Sequence, residues 1–235
     1  INLINSALKK ITIATINKLQ YEKKKIKNLE KNFLKIINSD LYIIDKIYWL
    51  IEDCKKNGTE VFAGAARCGF VAVDLLNSLQ NCEIISNDER LKFLNSLESI
   101  STRIAKDFNN LNKSEFIRLH GHLRPDTYEI TSDTYKDAYD KYFGKKKNSK
   151  TLRNKPFSFS RKSKYMIKKY LKKNDIKLNL YELINFIKEA IIFREYSKYV
   201  FTKNVSKILD YLKLISKRNN ISVEKISYID IKTIL

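Results

Sequence analysis

A chain of 235 residues with 43% hydrophobic content can close one sizeable core or two small ones, and 31% charged residues argue against an integral membrane protein. The net charge of +20 invites nucleic acid, but only nine of the 46 cations are Arg. The lysines are spread along the chain (KKKIK 23–27, KKK 145–147, KKYLKK 168–173), the pattern of a solvated surface rather than a dedicated nucleic-acid binder. No apolar run approaches the roughly 20 residues of a membrane span, and no secretory pattern opens the chain. It begins at Ile and its only Met is Met166, so it reads as a segment of a longer polypeptide. Cys54, Cys68 and Cys82 lack CxxC spacing, which fits a reducing, cytoplasmic setting with two of the three on apolar helix faces.

Five Gly and two Pro leave few breakers, so the expected class is mainly α: a multi-helix bundle in one domain over 1–235, with one long irregular loop. N-terminal helices fill 1–57. The first covers 3–37 with Ile26, Leu29, Phe33 and Ile36 inward; Ser39-Asp40 caps a second, running to about Lys56 with Leu41, Ile44, Ile47 and Ile51 inward. Asn57-Gly58 should end it. Over 58–119, Thr59 opens a helix rich in small residues (FAGAARCGFVAV, 62–73). Ser86 with Glu89 forms a capping box for a fourth helix with stripe Leu91, Leu94, Leu97, Ile104 and Phe108, and a short helix covers Ser114 to Leu119. From 120 to 160 the periodicity fails. That stretch reads as an ordered, aromatic-rich motif loop with a disordered basic tip at GKKKNSK, and loops of this length are usually functional or linkers. The C-terminal helices, 161–235, are expected at 161–173 and 179–217, with a short segment after Ser222.

Both histidines fall in HGHLRPDTYEI (120–130). His122 could be a proton carrier, a phosphate hydrogen-bond donor or a structural histidine. Arg124, before Pro125, sits on extended backbone and offers a fork suited to phosphate or carboxylate. Asp126 and Glu129 are potential bases or ion-pair partners. In the last long helix the apolar stripe Leu183, Ile187, Ala190 is interrupted by Arg194 and Lys198 before resuming at Phe201, Val205, Ile208 and Leu212. Inward cations are costly unless paired or facing a wet cavity. The alternatives are an anion site, or an ion pair for Arg194 with Lys198 snorkelling. Arg67 lies among Ala63, Gly64, Ala65, Ala66 and Gly69, either lining a close-approach wall or on the outer side of a tight helix crossing. No Walker, GxGxxG or metal-ligand spacing occurs, so no metal site is expected.

GHLRPDTYEITSDTY (121–135) resembles the GHLRPGTYDI–SP–Y signature of phosphoenolpyruvate-synthase-like, PEP/pyruvate-binding proteins, relatives of pyruvate phosphate dikinase and rifampin phosphotransferase. GTEVFAGAARCGFVAVDLL (58–76), REYSKYVFTKNVSKILDYL (194–212) and ISVEKISYIDIKTIL (221–235) are similar to further segments of that family in the same order, so the resemblance spans about 58–235. It implies the central helical region of a dikinase-type phosphotransferase, between an ATP-grasp domain and a mobile phosphohistidine domain of the same parent chain. Some members are encoded beside surface-polysaccharide genes. ATP and Mg would serve the full-length protein; this segment would bind no cofactor and be inactive alone. The implied acceptor is a small molecule, its binding set Arg67, His122, Arg124, Thr127, Tyr128, Glu129, Arg194 and Lys198. His122 is the one catalytic candidate, and the three arginines are expected around a single cavity. Asp126 departs from the family Gly, which would permit the positive φ of a type II turn. A non-catalytic basic helical module binding RNA or an acidic protein is the other reading.

Overall fold

The computed structural model describes residues 2–144 and 156–233, and its fold is mainly α, a multi-helix bundle with no strand among those residues. The helices are α1 (Asn2–Ile37), α2 (Ile43–Asp53), α3 (Glu60–Asn81), α4 (Asn87–Ser96), α5 (Ile100–Asn110), α6 (Lys113–His120), α7 (Tyr139–Phe143), α8 (Arg161–Lys173), α9 (Leu180–Arg218) and α10 (Val223–Ile226). A π-helical turn, Cys54–Thr59, joins α2 to α3, and a 3-10 turn covers Ile231–Thr233. The basic tip at 145–150 lies outside the described residues.

Three boundaries differ from the sequence reading. Ser39 does not cap α2: its hydroxyl donates back to the Ile36 carbonyl (2.8 Å) and closes α1, while α2 starts at Ile43 without a side-chain cap. The buried face of α2 is accordingly Ile47, Leu50 and Ile51, with Leu41 and Ile44 exposed. Asn57-Gly58 does not end the helix, which widens into the π turn and continues as α3. Gly58 is buried there, and a Cβ on it would lie 2.9 Å from the Phe201 Cβ, so this glycine serves close packing rather than termination. The Ser86–Glu89 capping box is present, but the expected fourth helix breaks at Leu97, whose ψ of 127° is extended, giving α4 and α5. Leu91 is exposed; Phe93 is buried instead, stacked on Phe159 with centroids 5.4 Å apart.

Packing divides the chain into two units, each assembled from three stretches: 1–24, 62–100 and 152–196; and 25–61, 101–151 and 197–235. The first has its core among Ala72, Leu76, Phe93, Ile167, Ile187 and Phe193. The second is built on Ile26, Leu29, Ile47, Leu50, Phe116 and Phe201. Cys54 and Cys68 are buried and Cys82 is exposed. Burial pushes the Cys54 thiol up to about 12, which keeps it protonated and inert.

Within the second unit, the segment after α6 is irregular yet fixed. The Tyr135 and Lys136 amides donate to the Leu123 and Gly121 carbonyls (2.7 and 3.1 Å), folding the loop back on its own start. Phe143 from α7 packs against Phe108 (5.0 Å), Phe116 (4.9 Å) and Tyr135 (4.9 Å). The loop aromatics thus join the core of the second unit at Phe108 and Phe116, which anchors a segment without helical periodicity.

Candidate functional site

His120, the last residue of α6, is fully buried. Its Nε2 lies 2.8 Å from Asp107 Oδ2; a carboxylate only accepts, so Nε2 carries a proton. Its Nδ1 is 3.2 Å from the Tyr199 hydroxyl oxygen, and that hydroxyl donates its proton to the Leu119 carbonyl at 2.7 Å. Asp107, His120 and Tyr199 form a continuous polar chain through the interior of the second unit. His122 meets the same tyrosine from the other side: its Nε2 donates to the Tyr199 carbonyl (3.2 Å) and its ring stands edge-on to the phenol at 4.9 Å. Burial, with Lys203 nearby, pushes His122 down to about 3, so its imidazole is neutral at pH 7. Burial also raises Tyr199, to about 12.

Arg124 is 6% exposed and spends its guanidinium inside the protein. NH1 donates to the Glu129 and Ser132 carbonyls (3.4 and 3.3 Å); NH2 donates to Ser206 Oγ (3.0 Å) and reaches Asp210 Oδ1 (3.4 Å). Burial raises the Asp210 carboxyl, an effect that Arg124 and Lys207 oppose. The fork therefore clamps the two limbs of the loop to α9. Glu129 is exposed but turned onto its own segment: its carboxylate accepts from the Thr131 amide (3.0 Å) and hydroxyl (2.9 Å), which hold it below the usual carboxylate range. Between these anchors the apex stands clear, with Pro125, Asp126 and Tyr128 exposed and Thr127 half-buried. Among the described residues, positive φ at non-glycine positions is confined to Glu83, Asp175 and Asn220. Asp126 thus sits in a turn that needs no glycine, closed by the Glu129 amide on its carbonyl at 3.0 Å.

Arg67 and Arg194 fall in the first unit, and His122, Arg124 and Lys198 in the second. Arg67 is exposed, on the outer side of α3. Gly64 and Gly69 have packing partners: a Cβ would come within 2.6 Å of a Glu22 carboxylate oxygen and 3.1 Å of the Arg194 Cδ, respectively. Arg194 is half-buried, but Lys198 is exposed, contrary to the inward position expected for it. The buried line of α9 runs through Ala190, Phe193, Ser197, Val200, Asn204 and Ile208, so residues 194 and 198 flank it rather than interrupt it. Reading only apolar residues hid this line, because Ser197 and Asn204 are polar and fully buried.

Sequence reasoning also missed His120, Asp107, Tyr199, Ser206 and Asp210 as members of this network. Tyr199, Ser206 and Asp210 lie inside the 194–212 stretch already singled out; nothing in the sequence points to Asp107. No three His, Cys, Asp or Glu side chains gather as a metal-ligand set among the described residues, and no helix there is long and apolar enough to cross a membrane. Compared with known proteins, the chain matches no family model, no curated protein and no solved structure.

Proposed function

We propose that this chain is the acceptor-side helical region of a phosphoenolpyruvate-synthase-like phosphotransferase, holding the small-molecule acceptor of a phosphoryl group that a mobile phosphohistidine domain of the parent polypeptide carries from ATP. One observation carries the reading. Two stretches that resemble that family, 121–135 and 194–212, are separate in sequence yet joined by His122 to Tyr199 and by Arg124 to Ser206 and Asp210. A motif whose polar residues hold each other is a built platform, and phosphoryl transfer asks a protein chiefly for positioning and for compensation of spreading negative charge. On this reading Arg124 and His122 act as positioning residues that fix the apex. Thr127, Tyr128 and Asp126 are the groups an acceptor or an incoming domain would touch. ATP and Mg enter through the ATP-grasp module rather than through these residues.

Incubation with labelled ATP tests it. The isolated chain should neither hydrolyse ATP nor take up label, whereas the parent polypeptide should pass label to a small acceptor, and Tyr128→Ala should lower that transfer without loss of helicity. Stoichiometric labelling of His120 or His122 in the isolated chain would overturn the assignment. The second reading, a basic module for RNA or an acidic protein, is favoured by the outward positions of Arg67 and Lys198. Affinity for RNA that survives physiological salt would select it.

A further inference from the structure

The second unit carries a separate groove of about 520 Å³ between the C-terminal half of α1, the outer face of α2 and the π turn. It shares no residue with the motif loop and does not depend on the reading above. One side of it is aromatic. Trp49, the only tryptophan, is 51% exposed, and Tyr48 stands edge-on to it with centroids 5.2 Å apart. An indole and a phenol left in water forgo burial each could have had, so together they form an unused apolar platform with one ring as its wall.

The polar side of the lining is ordered by Asp53. Its Oδ1 accepts from the side-chain amides of both Asn32 (2.9 Å) and Asn57 (2.6 Å). Because a carboxylate only accepts, both NH2 groups must turn towards it, and both amide oxygens turn away. Neither oxygen accepts a hydrogen bond from the described residues. Lys35 and Lys56 also line the groove, and neither forms an ion pair among the described residues; Glu52 is taken by Lys55 at 2.5 Å. Lys56 and Asn57 both sit in the π turn, a kind of turn that is rare and frequent at functional sites.

Together these groups specify a ligand: an apolar face for Trp49, hydroxyl donors for the two asparagine oxygens, and an anion for the two ammonium groups. We propose that this groove binds an anionic sugar, a pyranose carrying a phosphate or carboxylate, with its CH face on Trp49. Asp53 is a positioning residue that aims the amides.

As the sole tryptophan, Trp49 reports occupancy directly. Titration with glucose 6-phosphate or glucuronate should change its fluorescence saturably, with Kd on the order of 1 mM. Glucose should bind at least about tenfold more weakly, having lost the lysines. Lys35→Ala, on an exposed side chain that folding does not need, should weaken glucose 6-phosphate severalfold, and Asn57→Ala should do so with an unchanged circular dichroism spectrum. The proposal fails if inorganic phosphate gives the same saturable change, which would mean the lysines alone bind anions. It fails equally if adenosine monophosphate binds more tightly than the sugar phosphate, or if no acidic sugar saturates the signal.

Discussion

Arg124 and His122 tie the motif loop to α9 through their side-chain hydrogen bonds. Arg124→Ala removes the donor for two carbonyls, a serine and a carboxylate at once, and hydrogen bonds to a charged group contribute about 1.5–3 kcal/mol. In a chain of this length that lowers the melting temperature by roughly 4–10 °C. Arg124→Lys should recover only part of the loss, because an ammonium cannot reproduce the fork. Thermal melts of both variants check this; equal stability of Arg124→Ala and wild type would mean that Arg124 does not clamp the loop. His122 makes a pH-dependent contribution. Burial holds its folded value at about 3, below the ordinary 6.5, so in this window the unfolded chain binds a proton that the folded chain does not. Its contribution is complete above pH 6.5 and is lost as the pH falls from there towards 3, by up to about 1.4 kcal/mol per pH unit. His122→Gln keeps a donor for the Tyr199 carbonyl and should flatten that part of the stability–pH curve. An unchanged slope in the variant would mean the imidazole is not buried neutral.

At the scale of elements, Glu89 ties two helix starts together. Besides completing the capping box of α4, its carboxylate accepts from the Ser160 amide (3.0 Å) and the Ser163 hydroxyl (2.8 Å) at the start of α8. Burial raises this carboxyl, but the bonds from Ser160, Ser163 and Ser86 outweigh it and leave the group below its ordinary 4.5. The stabilisation is therefore fully present above pH 4.5 and lost as the pH falls through the lower folded value, a more acidic window than that of His122. Glu89→Ala should cost about 0.5–2 kcal/mol, in the range of a lost helix cap, measured by denaturant unfolding at pH 7, and the difference from wild type should shrink at pH 3. The capping box was readable because Ser-x-x-Glu is a local signal. The second half of the bond set was not, since Ser160 and Ser163 lie more than seventy residues away. The same divide runs through α9, whose length followed from periodicity while its buried line, passing through Ser197 and Asn204, did not. It also explains the π turn, where Asn57-Gly58 reads as a stop until the Phe201 packing is known.

Over the described residues, sequence carried the mainly α class and the loss of helical periodicity directly after α6, because both depend on patterns of near neighbours. The bonds around Tyr199 and those around Arg124 join residues up to 86 positions apart, as Arg124 and Asp210 are, and only three-dimensional packing reveals them. Charge is the one global property that sequence gives in full, and it bears on function. With 46 cations against 26 acidic residues, the chain will associate with any polyanion at low ionic strength. Such association releases counterions, so log K should fall linearly with log salt concentration and lose about three decades or more between 50 and 200 mM salt when six or more phosphates are contacted. Lys supplies 37 of those 46 cations (46 minus nine Arg), and lysine acts as a point charge without the fork that reads a base edge. The expected outcome of filter binding is thus steep salt dependence and equal affinity for unrelated RNA sequences. A sequence preference persisting at 200 mM salt would instead mean that the outward cations, Arg67 and Lys198 among them, form a recognition surface, and the acceptor-side reading would give way to the polyanion one.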